Sequence, residues 1–265
     1  MKLKQTCHYL FRDCRGALIV FYFVIFCVCV LTLLGAGGFS LLVGGEVHAN
    51  FAGMELASLI FLFVVGLCFF GENFAMLSQN GVTRRTFFVG SLLVQAAIAL
   101  GMALVDRGIC MLLKFIISHS PAYIAPPLEG AARIEVWSLF DLFFRSEYFY
   151  TDPPAPGLGT LIPAIGLYFL ALAIGFFIVI MYNRLSKGGI IAVSVGVPVT
   201  LVIVLPLLDA AILGGVLQNG ASRVLVWAFR LAADAPVLSL GCTMLIVAVI
   251  YALSWLTLRR LPMKK

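Results

Sequence analysis

Ala17-Leu18-Ile19-Val20-Phe21-Tyr22-Phe23-Val24-Ile25-Phe26-Cys27-Val28-Cys29-Val30-Leu31-Thr32-Leu33-Leu34 is a run of 18 residues without a charge, a glycine or a proline. As a helix it extends about 27 Å, close to the roughly 30 Å hydrocarbon core of a bilayer. The run is continuous, whereas the strands of a membrane barrel alternate over about 10 residues, so helix is the reading. It also exceeds the roughly 7–15 apolar residues of a signal-peptide core, and no small-x-small cleavage site follows cleanly. The segment is therefore read as a permanent span.

Outward from it the same pattern recurs. Six spans are expected, at 17–42, 54–71, 87–106, 160–182, 189–208 and 236–257, which makes the chain an all-α integral membrane protein of one domain. With 62% hydrophobic and 11% charged residues, it lies far from soluble proteins, which carry about 25% charged residues. Lys2, Lys4, Arg12, Arg15, Arg84, Arg85, Arg184, Lys187, Arg259, Arg260, Lys264 and Lys265 all fall on one side if both termini are cytoplasmic. Glu46, Glu129, Glu135, Asp141, Glu147, Asp152 and Asp234 then face outward. The net charge of +6 thus reads as topology and contact with anionic lipid, not nucleic-acid binding.

Several chemistries lack their residues. The middles of the six spans are read as free of charge, with Asp106, Arg107 and Asp209 at outer ends and Glu55 and Glu72 at edges, which argues against an ion pump or proton-coupled carrier. His8, His48 and His119 are never mid-span, so no nucleophile and base pair forms an intramembrane protease. Glu46, His48 and Glu55 are a weak outer metal candidate, and no metal site is assigned. The seven cysteines include no C-x-x-C pair; Cys27 and Cys29 point about 200° apart on a helix. No phosphate-binding loop or dinucleotide fingerprint occurs, so no cofactor is assigned to this chain and it is not read as an enzyme.

The polar interruptions carry the organisation. Before the first span, Leu3, Cys7, Leu10, Phe11 and Cys14 share one helical face while Lys4, His8, Arg12 and Arg15 share the other. That pattern predicts an amphipathic helix over 1–16, lying on the membrane before the chain turns into the span, or else a positive tail that only sets topology. Between spans two and three, Phe74, Leu77 and Ser78 fall on one face of a helix of about two turns. Asn80-Gly81 is its stop, and Thr83 is the N-cap of the next helix. Residues 107–159 are too long for a turn, and a helix there aligns Ile134, Trp137, Phe140, Phe144 and Tyr148 as an aromatic stripe. The stripe suits a headgroup belt or a lid over an apolar substrate. Residues 209–235 suit a re-entrant hairpin or an interfacial loop.

At Gln79-Asn80-Gly81-Val82-Thr83-Arg84-Arg85-Thr86-Phe87-Phe88, the chain resembles bacterial ABC-2 type permeases, the six-span membrane subunits of ATP-binding cassette exporters of Gram-positive type. In that family the stretch often reads Asn-Gly-Val-Ser-Arg-Lys-Thr-Phe-Phe; here Thr83 and Arg85 stand for Ser and Lys. The segment of 107–159 is larger than a minimal exporter of this type needs. The resemblance implies a cytoplasmic coupling helix docking on a separate ATPase that holds ATP and Mg, and a second permease chain, identical or paralogous. It places Glu72, Phe74, Leu77, Ser78, Asn80, Gly81, Arg84 and Arg85 at that contact, the two arginines suiting lipid phosphates equally well. Trp137, Phe140, Phe144 and Tyr148 are the expected outer interface. Ser194, Thr200 and Thr243 in the span interiors suit a lipid-like, peptide or drug-like cargo, and serve helix packing equally well. The competing expectation is a non-transporting immunity or sensor protein that binds a peptide or lipid at the outer aromatic helix.

Overall fold

The computed structural model describes residues 2–43, 48–50, 53–119, 133–135, 158–200, 205–208 and 235–259, with isolated positions at 220, 223–224, 227–228 and 231. The elements are α1 (Lys2–Val43), β1 (His48–Asn50), α2 (Gly53–Cys68), α3 (Gly71–Gln79), α4 (Arg84–His119), β2 (Arg133–Glu135), α5 (Leu158–Arg184), α6 (Lys187–Val199), α7 (Leu205–Leu208) and α8 (Pro236–Arg259). Among the described residues five helices are long and apolar enough to cross a membrane, the mark of a multi-pass helical membrane protein. The expected fifth span at 189–208 is represented by α6 and the single turn of α7.

Side-chain contacts set the direction of each long helix. Cys7 faces the Gly90 carbonyl and Tyr22 faces Asp106, so α1 and α4 run parallel. Phe21 stacks on Phe61 with centroids 4.2 Å apart, and Cys29 Sγ lies 3.9 Å from Met54 Sδ, so α2 descends against α1. Gly166 packs on Thr243 and Met181 meets Thr257, so α5 and α8 run parallel to each other. Tyr251 bonds Gln95, and Arg84 Nη1 donates to the Arg259 carbonyl at 3.0 Å, which runs α8 against α4. The start of α1, the α2–α3–α4 connection and the end of α8 therefore meet at one end of the bundle, here termed the basic end.

Large apolar side chains fill the centre: Phe69, Phe87, Phe176, Leu10, Leu62, Leu172, Ile180 and Leu258 are fully buried. The outward faces are equally apolar, with Phe23, Phe26 and Leu31 on α1 and Leu245 and Leu256 on α8 more than half exposed. A surface of that kind is stable against lipid tails and unstable against water. At the far end, β1 and β2 pair in parallel, His48 opposite Arg133 and Asn50 opposite Glu135.

Two expectations change here. The amphipathic segment over 1–16 does not turn into a separate span, because one helix runs from Lys2 to Val43. Gly16 alone costs a helix only about 1 kcal/mol, and Leu10, Cys14 and Thr6 are buried against the protein, so nothing favours a break. The aromatic helix expected to begin near residue 133 begins instead as β2, whose backbone is committed to β1.

Helices α2 and α5 approach through Gly66 and Gly175. A Cβ on Gly66 would stand 2.6 Å from the Leu172 carbonyl oxygen, and one on Gly175 would strike the backbone of Phe63. Small residues permit such close backbone approach in membranes. Gly66→Ala is expected to destabilise the fold by about 1–3 kcal/mol, since backbone cannot yield as a side chain can. Gly101→Ala, in open space on α4, serves as the neutral control, and unfolding of both variants in detergent checks the difference.

Candidate functional site

The first site is the elbow at the basic end. Helix α2 ends at Cys68; Phe69 and Phe70 turn the chain, and α3 occupies Gly71–Gln79. Asn80 caps α3, its side-chain amide donating to the Met76 carbonyl at 2.9 Å. Gly81 then takes a φ of 72°, the left-handed stop expected from Asn80-Gly81. Thr83 Oγ1 accepts the Thr86 N–H at 3.3 Å, so the expected N-cap of α4 is present.

The faces of α3 differ from the sequence expectation. Leu77 is buried, and Phe74 packs 4.8 Å from Phe70 and 5.2 Å from Phe87, so neither side chain lies on the outward face. The apolar stripe of a short helix tethered between two spans is drawn into the bundle, where burial is available at once. What α3 presents outward is Glu72, Ala75, Met76, Gln79 and Asn80, followed by Gly81 and Arg85. Ser78 is half-buried and donates to the Ala75 carbonyl at 2.8 Å. Arg84 is tied to the end of α8 and Arg85 is exposed, so the two arginines have different roles.

An aromatic knot holds this elbow. Phe70 meets Phe87 and Phe176 edge-on at 5.8 and 6.2 Å, and Phe69 meets Phe176 at 6.3 Å. Asn73 Nδ2 donates to Asp13 at 2.9 Å, and the Tyr9 hydroxyl lies 2.9 Å from Met76 Sδ, adding α1. Thus α3 is fixed to α1 and α4, and the turn before it to α5.

The second site was not foreseen. Helix α4 continues for 13 residues beyond Asp106, so Asp106 and Arg107 lie within the helix and not at its end. Asp106 is 2% exposed, Arg107 7% and Glu55 3%. Arg107 Nη2 donates to Glu55 Oε1 at 3.1 Å, an ion pair between α4 and α2. The Tyr22 hydroxyl of α1 donates to Asp106 Oδ1 at 3.0 Å, and the Tyr168 hydroxyl of α5 to Oδ2 at 2.6 Å. Four helices therefore converge on one buried polar cluster. Its signal in the sequence was the lack of any helix breaker after Arg107 except Gly108.

This pairing also removes Glu55 from the weak outer metal site; among the described residues no group of His, Cys, Asp and Glu is arranged to hold a metal. Ser194 donates to the Tyr182 hydroxyl, and Thr200 and Thr243 to carbonyls of their own helices, so these hydroxyls are occupied locally. Trp137, Phe140, Phe144 and Tyr148 lie outside the described residues, as does most of 209–235. No family model, curated protein or solved structure matches the chain.

Removing one member of a buried ion pair costs about 3–5 kcal/mol because the other is left uncompensated. Arg107→Met, which strands two carboxylates, is expected to approach that loss. Glu55→Gln is expected to cost less, since Asp106 still balances the guanidinium. Equal losses on unfolding in detergent would contradict this charge count.

Proposed function

We propose that the chain is the membrane-spanning permease subunit of an ATP-binding cassette exporter, driven by a separate cytoplasmic ATPase that carries ATP and Mg. The observation that carries the reading is α3: a short helix placed directly between two long membrane-type helices, with an exposed outward face. A motor that pushes on such a helix moves α2 and α4 together, because the aromatic knot leaves no soft joint between them. The resemblance at Gln79–Phe88 supports the same assignment.

Lys2, Lys4, Arg12, Arg15, Arg84, Arg85, Arg184, Lys187 and Arg259 flank the segments at the basic end, which supports placing that end, with both termini, on the cytoplasmic side of the cell membrane. The docking face is then Glu72, Ala75, Met76, Gln79 and Asn80, with Arg85 at its edge, and not Phe74 and Leu77. Two permease chains would build the pathway. Between α2 and α5 an apolar groove of about 290 Å³, lined by Leu59, Phe63, Leu167, Leu170 and Ile174 among others, suits an acyl chain or similarly apolar cargo.

Affinity purification of the full chain from its own membranes is expected to retain an ATPase. Ala75→Arg combined with Glu72→Lys should reduce that retention at least tenfold, about 1.4 kcal/mol, with unfolding unchanged. Undiminished retention, or an ATPase that never copurifies with the unmodified chain, would sink the reading.

A further inference from the structure

We propose that Arg12 and Arg15 of α1 bind the phosphate of an anionic phospholipid, at a height where the opposite flank of the bundle is purely apolar. The site is independent of the exporter reading.

Contacts fix the heights. Cys7 of α1 is level with Gly90 of α4 and the two helices run parallel, so Arg15, eight residues on, is level with Ile98. On the other side of α4, Arg259 of α8 meets Arg84 and Tyr251 meets Gln95, in the opposite direction. The α1 segment from Lys4 to Arg15 therefore spans the same heights as Leu245 to Leu256 of α8. Over those turns the exposed large side chains of α8 are Leu245, Ile246, Val249, Leu253 and Leu256. On one exposed face of α1 they are Lys4, His8, Arg12 and Arg15.

The two flanks thus leave the apolar zone at different levels. On α8 the first charge is Arg259, level with Arg84; on α1 it is Arg15, level with Ile98. Fourteen residues of α4 separate those levels, about 21 Å. Neighbouring axes lie about 8–10 Å apart, which sets α1 and α8 roughly 20 Å from each other across α4. A bundle tilt of about 20° over that width offsets the flanks by only about 7 Å. No flat membrane surface meets both, and bare guanidinium in hydrocarbon is costly, so the headgroup layer is drawn inward along α1.

The face of α1 has the polarity order of a lipid. Its apolar run begins at Ala17, and a headgroup layer roughly 5–7 Å thick beyond that point takes in Arg15 and Arg12 but not Lys4. Residues three apart on a helix stand about 5–6 Å from each other, a spacing that lets two guanidinium forks share one phosphate. Among the described residues neither arginine has a polar partner, and Asp13 between them is taken by Asn73 of α3. Steps of three and four continue the stripe as Ile19, Phe23 and Phe26, each more than half exposed, where acyl chains would lie. A second copy meeting this face across a two-fold axis would set cations against cations. An acidic soluble protein would match the cations and leave the apolar continuation uncovered.

Native mass spectrometry of the full chain, released from micelles holding equal phosphatidylglycerol and phosphatidylcholine, tests the site. Preferential retention of phosphatidylglycerol is expected. Arg12→Gln with Arg15→Gln should cut that retention at least fivefold while phosphatidylcholine binding and unfolding stay unchanged. Lys4→Gln with Arg85→Gln, which removes the same charge from exposed positions elsewhere, should alter it less than twofold. Equal losses in the two double variants, undiminished retention in the first, or displacement of the lipid by excess inorganic phosphate overturns the proposal. Hydroxyl-radical footprinting of the unmodified chain in phosphatidylglycerol nanodiscs tests the drawn-in surface. Leu3, 38% exposed and near the height of Leu256, should label at least fivefold faster than Leu256, which is 56% exposed. Equal labelling would show a flat boundary and overturn it as well.

Discussion

Hydrocarbon offers no hydrogen-bond partner, so every buried polar group in this chain must find one within the protein or remain costly. Asp106, Arg107 and Glu55 are the severest instance. Their positions oblige α2 and α4 to pair where Arg107 meets Glu55, and oblige α1 and α5 to bring Tyr22 and Tyr168 to the same depth. Apolar packing is nearly indifferent to sliding one helix past another in lipid, because tails solvate leucine as well as leucine does. Directional bonds to one carboxylate are not indifferent, and they fix the register of the bundle.

At the opposite end the organising contacts are aromatic. Phe69, Phe70, Phe74, Phe87 and Phe176 close around the turn between α2 and α3, and α3 becomes a fixed extension of the bundle. Between the two ends lies the glycine contact of α2 with α5, where the backbones nearly touch. One pair of helices thus joins the outward-facing elbow to the buried charges through a short, stiff path.

Local features were legible in the sequence, and features that depend on distant partners were not. Asn80-Gly81 and Thr83 act through bonds reaching no more than a few residues, so their roles could be read directly. The apolar stripe of α3 was also legible, but its direction was not: Phe74 and Leu77 suit a partner protein and a bundle interior equally, and only the positions of Phe70 and Phe87 decide. Asp106 and Arg107 were read at the outer end of a span, and no local pattern showed that the helix runs on past them or what they would meet. Their partners lie 62 and 52 residues away in sequence, at Tyr168 and Glu55, beyond any local pattern. The continuity of α1 through Gly16 was hidden for a related reason, since it rests on contacts of Thr6 and Leu10 with the rest of the bundle.

The buried ion pair also constrains how the protein is made. Synthesis delivers Tyr22 and then Glu55, Asp106 and Arg107 some 50 residues after Glu55, and Tyr168 last. An acid or a base near the middle of a lone helix raises the cost of entering the bilayer by about 2.5–3.5 kcal/mol each. Helix α4 carries one of each, side by side. Its entry is eased when α2 is already at the insertion site with Glu55 in place, and is complete only when α5 supplies the second tyrosine. The nascent chain therefore has reason to keep its early helices together beside the translocation machinery, instead of releasing them singly into lipid.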